Sequence, residues 1–261
     1  MAPAPLIIGH RGASAVAPEN TLVAFSRALQ DGADGIEFDV RLSRDRLPVV
    51  IHDASLKRTG QSVRLVRDLA AAELQECDVC SWFRAPQAED ARFKGTVPTL
   101  AQVFDLFKPN TALLYLEMKS EEGEGTELAE RVVAGIRNAQ IAPRVVVLSF
   151  DLSAITLVKK IDPTISTGAL FEPRLWHPLS TIRRLKMVDV AIEHGADEIA
   201  LHHTLVSSRI VEKAERVGLP VVVWTVDEVK WLARARRFGI KALITNNPAK
   251  MIQQRLMSEK F

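Results

Sequence analysis

Cysteine is scarce. Only Cys77 and Cys80 occur in 261 residues, spaced C-x-x-C. The stretch before them, Glu73-Leu74-Gln75-Glu76, is not the strand that a thioredoxin-like redox pair needs, and no two further ligands lie nearby to complete a zinc site. The pair reads as two reduced thiols. Excess charge of either sign is also lacking. With 34 basic and 32 acidic residues the formal charge is +2, so no strong field steers the chain toward nucleic acid or a membrane surface. Long apolar runs are missing too. Leu6-Ile7-Ile8-Gly9 is far too short to span a bilayer, and Met1-Ala2-Pro3-Ala4-Pro5 has neither the basic region nor the apolar core of a secretory signal. The expectation is a cytoplasmic protein with no nucleic-acid partner and no stable membrane insertion. There is no Gly-x-Gly-x-x-Gly fingerprint of a dinucleotide site.

What is present is an alternation of short apolar runs with amphipathic stretches. Strands are expected at Leu6–Gly9, Gly35–Arg41, Ala112–Met118, Arg144–Ser149, Ser166–Phe171, Glu198–Leu201, Pro220–Thr225 and Lys241–Thr245. Each is followed by helical material, from Asn20–Gln30, which Asn20 or Thr21 can cap, to Pro248–Leu256, where proline sits at the helix start. Eight strand–helix units in about this length imply a parallel sheet closed into a (β/α)8 TIM barrel, in preference to an open doubly wound sheet. Leu47–His52 reads as a continuation of the second strand after a turn at Ser43–Arg46. Asp53–Val97 breaks the rhythm and reads as a small insertion after strand two, with a helix at Val66–Glu76 and an aromatic pair, Trp82 and Phe83. The whole of 1–261 is expected to form one catalytic domain, with 53–97 as an insertion subdomain.

Charge on the strands is the sharpest signal. Alternate residues of a strand share a face, so Glu37, Asp39 and Arg41 point opposite to Ile36, Phe38 and Val40. Tyr115, Glu117 and Lys119 likewise oppose Leu114, Leu116 and Met118. Two carboxylates on one inward face repel unless a cation lies between them, and oxygen ligands suit Mg2+ or Ca2+ rather than zinc. A barrel carries its chemistry at the C-terminal strand ends. His10-Arg11-Gly12 follows strand one, and His52-Asp53 ends the extended run after strand two. A histidine there can exchange protons near neutral pH, and an arginine can grip phosphate oxygens with two parallel bonds. Lys119 offers a compact positive charge for a phosphate oxygen. Trp224 can wall an apolar part of the pocket. Asp227 is expected to cap the following helix, and His202 and His203 to be structural. Glu172, Arg174, Trp176 and His177 carry the weakest signal. Trp82 and Phe83 are expected to form a small satellite core.

Taken together, these residues resemble the glycerophosphodiester phosphodiesterases. The matching features are His10-Arg11-Gly12, Pro18-Glu19-Asn20-Thr21, Glu37-x-Asp39, His52-Asp53, Val97-Pro98-Thr99-Leu100, Glu117-x-Lys119 and Trp224-Thr225-Val226, in the family's order across nearly the whole chain. The resemblance implies a TIM barrel with an insertion after strand two and one divalent cation on Glu37, Asp39 and Glu117. It implies His10 and His52 as the acid/base pair, and Arg11 and Lys119 as the phosphate grip. The implied reaction is hydrolysis of a small glycerophosphodiester to glycerol 3-phosphate and an alcohol. A lysophospholipase D on lyso-lipids, or a barrel that binds a phosphodiester without cleaving it, are the alternatives. Two positions depart from the family's pattern. Asp227 stands where Asn is common, and Thr245-Asn246 where Thr-Asp is common; both are expected to lie outside the core constellation.

Overall fold

A strand buried on both sides needs two partners, one for each face of its side-chain alternation. Here the outward faces meet helices and the inward faces meet one another. The computed structural model describes residues 3–84, 93–173 and 181–258, the side chains of 181–184 excepted. Its elements run β1 (Leu6–His10), α1 (Leu22–Gln30), β2 (Gly35–Leu42), β3 (Pro48–Val50), α2 (Ala71–Leu74), α3 (Leu100–Phe107), β4 (Leu113–Met118), α4 (Gly125–Ala139), β5 (Val145–Ser149) and α5 (Leu152–Ile161). They continue with β6 (Ser166–Phe171), α6 (Thr181–Glu193), β7 (Glu198–His202), α7 (Ser208–Arg216), β8 (Val221–Trp224), α8 (Lys230–Phe238), β9 (Ala242–Thr245) and α9 (Pro248–Ser258).

The parallel strands follow the order β1-β9-β8-β7-β6-β5-β4-β2, and β2 pairs back onto β1, which closes the ring. The fold is therefore a closed (β/α)8 barrel, as the alternation implies. Ile36, Phe38, Val40, Leu114 and Leu116 face outward into the layer between strands and helices. Phe25 of α1 packs there at 5.8 Å from Phe38 and 6.4 Å from Phe107. Ile8, Tyr115, Val146, Val222 and Ala242 fill the interior. Within that filling, the Tyr115 hydroxyl donates to Glu198 Oε2 (3.2 Å), and Lys241 pairs with Glu198. Thr21 caps α1 by accepting from the Ala24 N–H (3.2 Å), and Thr99 caps α3 from Gln102 (3.3 Å).

Two local expectations are corrected. Leu47–His52 does not prolong β2. The chain reverses, with Arg46 in the left-handed region (φ 60°) and Ser43 N–H donating to Leu47 O, so that β3 lies antiparallel on β2. Val66–Glu76 is not one helix. It is a single 3-10 turn at Val66–Asp68 followed by the four-residue α2. Leu69 breaks it: its side chain is wholly buried, and its carbonyl accepts from Arg44 N–H of the β2–β3 turn. These pieces enclose a second apolar cluster that includes Val49, Leu56, Val66, Leu69, Leu74 and Val97.

Candidate active site

Barrel register brings the polar residues together. His10 is level with Glu37 across β1–β2, and Asp39 is level with Glu117 across β2–β4. Lys119 follows β4 directly, Trp224 ends β8, and His52 follows β3. His10, Arg11, Glu37, His52, Glu117, Lys119 and Trp224 all line one cavity of about 530 Å3 at the C-terminal strand ends, and Asp39 lies buried behind them. The eight residues singled out for catalysis, phosphate, pocket wall and metal are thus in one place.

The turn after β1 is strained for a purpose. Arg11 adopts a left-handed backbone (φ 52°), and its N–H donates to Glu37 Oε2 (3.1 Å). Gly12 follows at φ 83°, where a Cβ would stand 2.6 Å from the Ala24 carbonyl carbon. The Arg11 guanidinium then reaches Glu19 Oε1 (2.9 Å) and Asp39 Oδ2 (3.2 Å).

Glu37, Asp39 and Glu117 are almost inaccessible, and one oxygen from each lies within 4.8 Å of the others. Asp39 Oδ2 accepts from Asn20 Nδ2 (2.8 Å), but Asp39 Oδ1 and Glu117 Oε1 accept no well-directed hydrogen bond among the described residues. Lys119 Nζ approaches them at 3.4 and 2.5 Å as an ion-pair contact only. Burial, with Asp39 beside it, pushes Glu117 up to about 7. Burial and the same neighbours drive Glu37 well above the usual carboxylate range. Asp39 goes the other way: burial opposes the charge, but Arg11 and Lys119 both face it and hold it at about 2. Three buried carboxylates, with Lys119 the cation against Asp39 Oδ1 and Glu117 Oε1, form a hard oxygen-donor set that fits a divalent cation such as Mg2+ or Ca2+.

The histidines have different partners. Burial and the Arg11 charge take His10 down to about 4. Its Nδ1 meets Asn246 Oδ1 at 2.7 Å, while Asn246 Nδ2 donates to Asp227 Oδ2 (2.7 Å). That orientation of the amide assigns the proton to Nδ1 and leaves Nε2 facing Glu37 at 3.9 Å. His52 is lowered chiefly by burial, and its Nδ1 lies 2.6 Å from Asp53 Oδ1. Arg41 donates to the His52 carbonyl (2.8 Å).

Several expectations around the rim change. Asp227 does not cap a helix. It accepts from the Thr245 hydroxyl, the Asn246 N–H and the Asn246 side chain, and so braces the partner of His10. Asp227 and Asn246 therefore belong to the site's support rather than lying outside it. Asn20 is legible in the sequence only as a cap; its side chain instead fixes Asp39, with a left-handed backbone (φ 56°) aiming it inward. Phe150 and Glu172 also line the cavity, and Phe150 stands edge-on to Trp224 at 5.6 Å. His202 packs on Trp224 at 5.2 Å and bonds Thr204, a structural role, as His203 has against Trp231. Trp82 and Phe83 pack edge-on at 5.6 Å but are only half-buried and lie outside the apolar cluster of their segment, so they form a surface contact rather than a satellite core. Arg174, Trp176 and His177 lie outside the described residues. Cys77 and Cys80 are both free thiols, and burial pushes Cys80 up to about 11, which leaves it protonated and unreactive. No helix among the described residues is long and apolar enough to cross a membrane.

Residues 10–250 match the model of the glycerophosphoryl diester phosphodiesterase family. The chain is 31% identical over 251 residues to a glycerophosphodiester phosphodiesterase of Caldanaerobacter subterraneus, covering 95% of this chain and 96% of that one. It is 28% identical to a glycerophosphodiester phosphodiesterase of Bacillus subtilis, over 93% and 84% of the two chains. Among solved structures, it resembles an Oleispira antarctica phosphodiesterase in complex with the product sn-glycerol-3-phosphate. That likeness has a TM-score of 0.83 at 26% identity, over 97% of both chains.

Proposed function

This chain belongs to the glycerophosphoryl diester phosphodiesterase family, and on that footing we propose that it hydrolyses a small glycerophosphodiester to glycerol 3-phosphate and an alcohol in a cation-dependent reaction. The observation that carries the reading is the trio Glu37, Asp39 and Glu117, buried with one oxygen of each within 4.8 Å of the others, between two histidines and beside Arg11 and Lys119. The product carried by the Oleispira enzyme supports glycerol 3-phosphate as the product here. We read residues 1–261 as one catalytic domain, with 53–97 as an appended subdomain.

The roles follow from the geometry. Glu37, Asp39 and Glu117 would hold the divalent cation, which when bound would supply Lewis acidity and lower the pKa of a hydroxyl. Arg11 and Lys119 stay charged despite their burial, because Asp39 lies against both, and they bind the non-bridging phosphate oxygens. Fixed charges of this kind stabilise negative charge as it builds in the transition state. His10 and His52 form the acid/base pair. One removes the proton of the attacking hydroxyl or water, and the other delivers a proton to the departing alkoxide; the pair returns to its starting state by proton exchange with solvent or, where a cyclic phosphate forms, by swapping roles as water opens it. Trp224, with Phe150, gives the non-reacting part of the diester an apolar wall.

The test is incubation of the purified protein with glycerophosphocholine and Mg2+ or Ca2+, followed by assay of glycerol 3-phosphate. Steady release supports the proposal. No release with either ion, from glycerophosphocholine or from other glycerophosphodiesters, contradicts it. Release from lysophosphatidylcholine alone would move the activity to lyso-lipids.

A further inference from the structure

Asp53 and Glu19 each contact one member of the machinery and also Arg58. Asp53 Oδ1 meets His52 Nδ1, and Asp53 Oδ2 accepts from Arg58 Nε (2.7 Å). Glu19 Oε1 accepts from Arg11 Nη1 (2.9 Å), while Arg58 Nη1 and Nη2 fork onto Glu19 Oε2 and Oε1 at 2.7 and 2.8 Å. All three nitrogens of one guanidinium are therefore spent on the two carboxylates that stand behind a catalytic histidine and a phosphate-binding arginine. We propose that Arg58 is a positioning residue of the reaction, setting His52 through Asp53 and Arg11 through Glu19. This rests on the function proposed above.

An ordinary surface ion pair has little energetic value and tolerates exchange. The Arg58 arrangement differs in three ways. The contact with Glu19 is two-pronged, and the Glu19 side chain is only 12% exposed. The plane that satisfies Glu19 also satisfies Asp53, so one rigid group fixes the distance between two catalytic supports. The Arg58 guanidinium also lies 6.0 Å over the ring of Trp82, whose Nε1 donates to the Val79 carbonyl (2.8 Å). Arg58 thus belongs to the segment after β3, whose apolar cluster it follows directly at Leu56. On this reading the segment carries the vertex that aligns one residue from β1's turn with one from the end of β3. A lysine, with a single point charge, cannot reproduce three directed bonds in one plane.

The experiment compares Arg58→Met and Arg58→Lys with wild type and with Asp53→Asn, Glu19→Gln and the corresponding double variants. Wild-type turnover of glycerophosphocholine tests the reaction itself, separately from this inference. Both Arg58 variants are expected to keep the melting temperature within a few degrees while kcat falls about ten- to a hundredfold, the range for reacting groups misplaced by about an ångström. Adding Asp53→Asn or Glu19→Gln to Arg58→Met should lower kcat by far less than the product of the single losses, because both changes break one linkage. Crystal structures of the variants read the geometry without turnover: the His52–Asp53 or the Arg11–Glu19 contact should open beyond hydrogen-bond reach. If Arg58→Met does not fold, Arg58→Lys carries the same readouts. Unchanged kcat, fully multiplicative losses, or both contacts intact in the variant structures would overturn the proposal.

Discussion

At the scale of single residues, the site separates groups that hold a charge from groups that are spared one. Asp39 is ionised because two cations face it, while Glu37 and Glu117 are pushed toward protonation by burial and by the charge of Asp39 beside them. Removing one ligand oxygen should therefore cost binding of the ion before it costs the fold. Asp39→Asn and Glu117→Gln are expected to weaken Mg2+ affinity by at least tenfold in calorimetric titration, with catalytic activity falling in parallel. The histidines can be told apart by the leaving group. His10→Ala and His52→Ala should each lower kcat on glycerophosphocholine by ~10²–10⁴. On the p-nitrophenyl diester of glycerol 3-phosphate, whose leaving group needs no proton, the variant lacking the acid should recover most of that loss and the other should not. Equal losses on both substrates would contradict a divided acid/base pair. Gly12→Ala places a methyl against the Ala24 backbone at positive φ, and is expected to destabilise by ~1–3 kcal/mol in chemical denaturation.

The elements explain which parts of this arrangement the sequence discloses. Strand alternation is a local property, so the inward Glu37, Asp39, Glu117 and Lys119 are legible from two short segments, and the barrel places their ends at one face. Hydrogen bonds between distant segments are not legible in this way. Asn20 reads as a helix cap because its pairing with Asp39 depends on how α1 is hung from β1. Arg58 reads as one more charge in a polar stretch, since its partner Glu19 lies 39 positions away. The Val66–Glu76 helix fails for a similar reason: burial of Leu69 and its bond to the β2–β3 turn outweigh local helical preference. The segment after β3 has its own core, so Leu56→Ala, which empties a fully buried site, should cost ~2–5 kcal/mol in denaturant unfolding. If that core positions Arg58, kcat should fall with it while KM for glycerophosphocholine changes less.

For the whole molecule, the buried acidic centre ties stability to pH and to the ion. The folded-state pKa of Glu117, about 7, lies above its usual 4.5, so the folded chain binds more protons than the unfolded one between those values. The contribution of Glu117 is greatest below about 4.5 and is lost as pH rises through 7, while His10, held at about 4 against its usual 6.5, contributes in the opposite sense as pH rises from 4 to 6.5. At fixed ionic strength Mg2+ should restore more stability at pH 8, where the carboxylates have lost their protons, than at pH 5, read as the shift in melting temperature. A divalent ion that binds the folded state alone stabilises by mass action, and binding it must release the protons that replace it.

The most direct measurement is the release of glycerol 3-phosphate from glycerophosphocholine by protein stripped exhaustively with chelator, before and after Mg2+ or Ca2+ is returned. A shared ion on Glu37, Asp39 and Glu117 predicts that release stops on stripping and resumes when the ion is restored to wild type, but only weakly in Asp39→Asn. Undiminished release from the stripped protein would contradict it.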